Sequence, residues 1–238
     1  MKFKIIILLF LVWSCQQTLR DKEANSIAKD QPEQIDTLIG TDTLEEIAVV
    51  EVKTYDYDTL TWTDISDLDT SIVLDLKYAT TDNFVETQMY DCGRCFLRPK
   101  VAKAVLIAHQ NLQKQGFGLK MYDCYRPRPI QWKLWGKVPD PRYVADPKKG
   151  SMHNRGGAVD LTIVDSLGNE LDMGTPFDFF GPRAYPSFTD LPQEVLNNRK
   201  LLQGTMASVG FAPISTEWWH YSYRAEQYEL SDMLWECQ

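Results

Sequence analysis

The chain has 238 residues and a formal net charge of -8, with 44% hydrophobic and 12% aromatic residues. That length supports one large domain or two small ones, and the composition excludes a wholly disordered chain. The acidic balance excludes a general nucleic-acid binder, which needs a basic surface to release counterions, and no apolar run approaches the ~20 residues of a membrane-spanning helix.

Lys2 and Lys4 precede nine uninterrupted apolar residues, Ile5 to Trp13. This run is too short to span a bilayer and has the form of a secretory signal. Val12-Trp13-Ser14-Cys15 resembles a bacterial lipobox, with Trp13 bulkier than is usual there. Residues 1–14 are therefore expected to be a lipoprotein signal and Cys15 the lipidated residue of an exported protein tethered to a membrane; plain secretion is the alternative. Residues 15–58 carry a net charge of -7 and lack apolar periodicity. Such a stretch cannot bury enough surface to offset its ordering entropy and reads as a disordered tether. A short edge strand at Ile47 to Val52 is the other reading.

From residue 59 to 238 the texture is that of a folded domain. Ile72 to Tyr78 suits a strand. Val101, Ala104, Val105, Ala108 and Leu112 recur at helical spacing, so a helix is expected over Val101–Gln115, with Pro99 before it and Gly116 ending it. Leu119 to Tyr125 reads as a strand stopped by Pro127 and Pro129, Ala158 to Val164 as another strand, and Leu191 to Val209 as a helix. Trp218 to Tyr223 is aromatic and suits a strand. No internal repeat is visible. The interleaved elements and short connections imply one α+β domain with a mixed or antiparallel central sheet and flanking helices.

The three histidines, 109, 153 and 220, differ in their company. His109 lies within a helix and reads as an ordinary helix residue. His153 precedes a Gly156-Gly157 pair that can fold it back toward Asp160, which alternates with Val159 and Leu161 on a strand. An imidazole and a carboxylate so placed make two-thirds of a catalytic zinc site, although a simple His–Asp hydrogen bond has the same signature. His220, in Glu217-Trp218-Trp219-His220, can supply a third ligand, and Glu217 a general base. Residues three apart face opposite sides of a flat strand, so Glu217 must stand on a bend or turn for that role. Trp218 and Trp219 are core candidates. Arg126, at a strand end before Pro127, can hold an oxyanion or can be an ordinary surface residue.

Ser151-x-His153-x-x-Gly156-x-Ala158-x-Asp160 followed by Glu217-x-x-His220 resembles the signature of the zinc D-alanyl-D-alanine dipeptidases, relatives of the D,D-carboxypeptidase and hedgehog-like metallopeptidases. The resemblance covers about residues 65 to 223. It implies one Zn2+ per chain on His153, Asp160 and His220, with Glu217 as catalytic base and Arg126 stabilising the transition state. It further implies that Asp178 binds the free amino group of a small D,D-dipeptide, with Tyr78 and Ser151 near the substrate. The competing functions are a D,D-carboxypeptidase or other peptidoglycan peptidase, and a non-catalytic, zinc-stabilised lipoprotein that binds wall fragments. The expected setting is the cell envelope, in wall turnover or scavenging.

If Cys15 carries lipid, Cys92, Cys95, Cys124 and Cys237 remain, an even set that allows three disulfide pairings. Cys92-Gly93-Arg94-Cys95 is expected to close a small structural loop disulfide rather than to act as a redox pair. A bridge from Cys124 would steady the strand end near Arg126.

Overall fold

The computed structural model describes residues 53–237. The expected signal, Cys15 and most of the expected tether lie outside those residues. Residues 53–58, read above as the end of the tether, are packed on the domain. Asp56 pairs with Arg94, the Tyr57 hydroxyl donates to Asp67 at 2.6 Å, and the Tyr57 ring meets Phe96 edge-on. Tyr57 is half-buried there, while residues 53–56 and 58 keep the solvent exposure that their composition implies.

A short antiparallel pair, β1 (Thr63–Asp64) and β3 (Phe96–Leu97), flanks a five-stranded sheet. That sheet contains β2 (Val73–Leu74), β4 (Phe117–Asp123), β5 (Ala158–Asp165), β6 (Phe211–Pro213) and β7 (His220–Tyr223), in the order β2-β4-β5-β7-β6. Only β2–β4 is parallel; the other neighbours are antiparallel. The fold is the expected α+β arrangement with a mixed sheet.

Helices α1 (Pro99–Gln113) and α3 (Gln193–Ser208) cover one face. Val101, Val105, Ala108 and Leu112 of α1 join Leu119, Met121, Val159, Leu161, Ile163, Leu202 and Met206 in a fully buried core. Alternation along β5 thus sends Val159, Leu161 and Ile163 to this core, and turns Asp160 and Thr162 toward the other face. Among the described residues no helix is long and apolar enough to cross a membrane.

The differences from the expected elements have local causes. The strand expected over Ile72–Tyr78 pairs only at Val73–Leu74; the chain then turns into a 3-10 segment, Lys77–Ala79, that buries Tyr78. The strand expected over Leu119–Tyr125 ends at Asp123, before Pro127 is reached, and the two prolines instead open a helix, α2 (Arg128–Lys137), because proline is tolerated where a helix's first amides have no partner. Trp218 and Trp219 precede β7 rather than opening it, and both are buried in the core.

The expected Cys92–Cys95 bridge is not formed. Cys92 pairs with Cys237 and Cys95 with Cys124. Cys95 leads into β3 and Cys124 follows β4, and the backbone bond from Tyr125 N–H to the Phe96 carbonyl holds the two segments side by side. The expectation that Cys124 anchors the strand end is met, with a partner 29 residues away in sequence.

His109 is a buried bracket rather than a plain helix residue. Its Nδ1 accepts the Leu119 N–H at 3.0 Å, and its Nε2 lies 2.9 Å from the Ser71 hydroxyl. Accepting that amide requires a neutral ring, and burial lowers its pKa from the ordinary 6.5, against a weaker pull from Asp69. The unfolded chain then binds the proton more tightly, so this contribution is complete above pH ~6.5 and is lost as pH falls. Urea titrations from about pH 7 to about pH 5 should show the wild type losing stability relative to His109→Asn. The cost on protonation is that of an orphaned buried amide, roughly 1–3 kcal/mol.

Candidate active site

The sheet register brings two of the expected ligands together. Asp160 on β5 is directly opposite His220 on β7 and is paired across β4 with Asp123, so all three stand on the face away from the helical core. His153 arrives from a 3-10 turn, His153–Arg155, closed by Gly156 in the left-handed region at φ 67°. A Cβ on Gly156 would meet the Trp62 ring at 2.5 Å, so both conformation and space demand glycine there. The Gly pair has the folding-back role inferred from sequence, and the Ala158 strand begins immediately after it.

His153 Nε2, His220 Nδ1 and the Asp160 carboxylate converge. The two nitrogens are 3.1 Å apart, His153 Nε2 is 3.3 Å from Asp160 Oδ2, and His220 Nδ1 is 2.9 Å from Asp160 Oδ1. Donors bound at 2.0–2.1 Å around a tetrahedral ion stand ~3.3 Å from one another, which matches. The outward nitrogens are also engaged: His153 Nδ1–H donates to the Cys124 carbonyl at 2.7 Å, and His220 Nε2 meets the Ser222 hydroxyl at 3.0 Å. A carbonyl can only accept, so Nδ1 of His153 carries the proton and the Nε2 lone pair aims at the shared point. Two nitrogens and a carboxylate focused on one point, with the Cys124 carbonyl fixing the His153 tautomer, fit Zn2+.

Burial opposes charge on Asp160, yet His153 and His220 outweigh it and hold its carboxyl well below the usual range. Nearby carboxyls move the other way. Glu217 stands in the loop between β6 and β7, outside strand alternation, as its expected role required. Burial, with Asp160 adding to it, pushes its pKa up to about 7. Two carboxyl groups with opposed shifts in one cleft are the electrostatic pattern of an acid–base site.

Arg126 is buried, with its guanidinium held by Asp123 Oδ2 at 3.0 Å from Nε and 2.5 Å from Nη2, and by Gln131 Oε1 at 3.0 Å from Nη1. It lies over the Tyr78 ring at 4.8 Å. The Tyr78 hydroxyl donates to Asp178 Oδ2 at 3.0 Å. Burial and the Asp160 charge push the Asp178 carboxyl well above the carboxylate range. The structure therefore brings Tyr78, Arg126, Asp178 and Glu217 around the three ligands. Ser151 closes the histidine turn: its hydroxyl accepts the Asn154 N–H at 3.3 Å, and its own N–H donates to Asn154 Oδ1 at 2.8 Å.

Four supporting residues were not found from sequence. Asp123 holds Arg126 and lies 3.5 Å from His153 Nδ1; Gln131 shares the guanidinium; Ser222 orients His220; and Asn154 Nδ2 donates to the Arg126 carbonyl at 2.7 Å. The one available signal was the acid three residues before Arg126.

Residues 58–235 match the Peptidase M15 family, described as D-ala-D-ala dipeptidase. The D-alanyl-D-alanine dipeptidase of Escherichia coli (strain K12) is 38% identical over 181 residues, covering 76% of this chain and 94% of that protein. The D-alanyl-D-alanine dipeptidase of Enterococcus faecium is 32% identical, covering 66% and 88%. A solved D,D-pentapeptidase, VanY from a VanB-type vancomycin-resistance cassette with Zn(II) bound, has a TM-score of 0.37 at 17% identity, over 54% of this chain and 73% of that one. A match spanning nearly the whole folded unit, at identities of this order, places the chain in the D-Ala-D-Ala dipeptidase family of M15 peptidases.

Proposed function

We propose that this chain hydrolyses the D-alanyl-D-alanine dipeptide to two D-alanines with one zinc ion. The observation that carries this reading is the focused His153–Asp160–His220 donor set with Glu217 beside it, its pKa raised to about 7. Zinc held there supplies Lewis acidity, lowering the pKa of a coordinated water toward ~7 and polarising the substrate carbonyl.

The protein's own groups do the remainder. The Glu217 carboxylate accepts the proton of the attacking water as its oxygen bonds to the carbonyl carbon. Glu217 then delivers that proton to the leaving amine as the carbon–nitrogen bond breaks. Arg126, fixed by Asp123 and Gln131, donates to the developing oxyanion from a geometry that needs no reorganisation. Asp178, whose charge is unfavourable in its buried setting, regains it by pairing with the substrate ammonium, while Tyr78 fixes its orientation.

Glu217→Ala should keep a full complement of zinc and lose about 10²–10⁴-fold in kcat. Metal analysis and steady-state kinetics on the same sample check this, and near-normal turnover would refute the base assignment. Chelation should abolish wild-type activity and added Zn2+ should restore it.

N-acetyl-D-Ala-D-Ala should be a poor substrate, because capping the amine leaves Asp178 buried with no cation. Asp178→Asn should lower kcat/KM for the free dipeptide by at least about 10²-fold, the equivalent of one lost buried ion partner. Efficient cleavage of the capped dipeptide by the wild type would point instead to a D,D-carboxypeptidase.

The lipobox-like Val12-Trp13-Ser14-Cys15 supports an exported, lipid-anchored enzyme. An enzyme placed outside the cytoplasm cannot drain wall precursors assembled inside it, which favours scavenging or wall turnover as its purpose. Metabolic labelling with a palmitate analogue should mark the wild-type chain and not Cys15→Ala; equal labelling of both would exclude this anchor.

A further inference from the structure

Asp178 is a non-glycine residue with φ 57°, and this left-handed step sends successive side chains in different directions. Phe177 turns inward onto Tyr122 and Trp219, while Phe179 is 39% exposed. Phe180 goes to neither place. Its ring meets Phe84 edge-on at 5.0 Å and Tyr143 at 4.3 Å.

These contacts join three separate segments around the Asp178 end of the site. Phe84 belongs to the turn that follows Tyr78 and lies 6.3 Å from the Tyr78 ring. Tyr143 belongs to the segment after α2. That segment is fixed from inside by Val144, buried in one cluster with Tyr78, and by Gln131 Nε2 donating to the Ala145 carbonyl at 2.8 Å. Tyr143 itself is 39% exposed. Aromatic contacts therefore run without a break from the site to solvent, through Tyr78, Phe84, Phe180 and Tyr143. A cleft of about 560 Å3 lies to one side of this chain of rings, lined by Phe84, Phe177 and Asp178.

We infer that Phe180, clasped between Phe84 and Tyr143, is a specificity-determining wall that stops the amino end of the substrate at two residues. This deepens the dipeptidase reading and rests on it. Asp178 alone discriminates by charge: it disfavours an amine that has been capped. It discriminates poorly against a longer peptide whose ammonium is displaced by one residue, about 3.8 Å along the chain. A steric stop two residues along the chain from Asp178, pinned between Phe84 and Tyr143, supplies the missing selection, and removing the ring frees a side-chain-sized space there.

The test compares kcat/KM for glycyl-D-Ala-D-Ala and D-Ala-D-Ala in zinc-loaded wild type, Phe180→Ala and Tyr143→Ala. The tripeptide-to-dipeptide ratio should rise at least about 10-fold in Phe180→Ala, the scale on which a side-chain-sized space selects. It should rise by less in Tyr143→Ala, which loosens the same ring from its exposed side and perturbs folding least. Circular dichroism, thermal unfolding and zinc content confirm that the variants are folded and loaded. A ratio unchanged within twofold in both folded variants overturns the wall while leaving the dipeptidase reading intact. A wild type that cleaves no D-Ala-D-Ala overturns that reading, and the wall with it.

Discussion

A carboxylate in the middle of a sheet must be neutralised from within the protein, and Asp160 is such a group. It is 4% exposed, and the cost of burying an unpaired charge there would consume much of a domain's net stability. Two imidazoles reach it at 3.3 Å or less, and each is aimed by an outer hydrogen bond. The demands of that cluster explain features that otherwise look unrelated. Gly156 takes a conformation that a side chain would not fit, β5 and β7 pair in the register that sets Asp160 against His220, and the Cys124 carbonyl is held where the His153 ring needs an acceptor. The ligand cluster organises the local structure as much as the chemistry.

The next shell repeats the logic with opposite signs. Arg126 is a buried cation, satisfied by Asp123 and Gln131 and lying over Tyr78. Asp123 in turn stands 3.5 Å from His153, so one carboxylate links the guanidinium to the ligand turn. Gln131 comes from α2 and Tyr78 from the 3-10 turn after β2. The parts of the fold with the weakest regular structure are thus anchored through the site. Removing one charge leaves several others uncompensated, and effects of substitutions here should be strongly non-additive.

Much of this was legible in the sequence wherever a physical rule ties position to geometry. Helical spacing of Val101 to Leu112 located α1, strand alternation separated Asp160 from Val159 and Leu161, and the mismatch between a three-residue spacing and a flat strand put Glu217 in a loop. The misses have equally definite causes. Pro127 and Pro129 have the look of a strand terminator, yet β4 stops earlier, at Asp123, and the prolines begin α2, since a stop and a helix start share the same residue. Ile72 to Tyr78 has the composition of a strand, but after Leu74 the chain leaves the sheet and turns at Lys77–Ala79, where Tyr78 is buried. Cys92 and Cys95 are near neighbours in sequence yet bond to partners 145 and 29 residues away, a choice made by tertiary packing that spacing does not encode. Gln131 and Ser222 had no signal, because nothing in a single chain distinguishes a polar residue that orients a ligand from one that meets water.

The Cys92–Cys237 bond makes the greater part of the domain a covalent ring. Arg126, His153, Asp160, Asp178, Glu217 and His220 all lie inside it, and Tyr78 alone among the site residues lies outside. One backbone cut anywhere within the ring, in the exposed loop before the histidine turn for instance, leaves its two fragments joined by sulfur. The pieces would stay near millimolar effective concentration of each other, so the interrupted chain could hold its ligands in register. Damage that would dismantle an open chain is thereby reduced to a nick, and two cuts are needed before any site residue inside the ring is released.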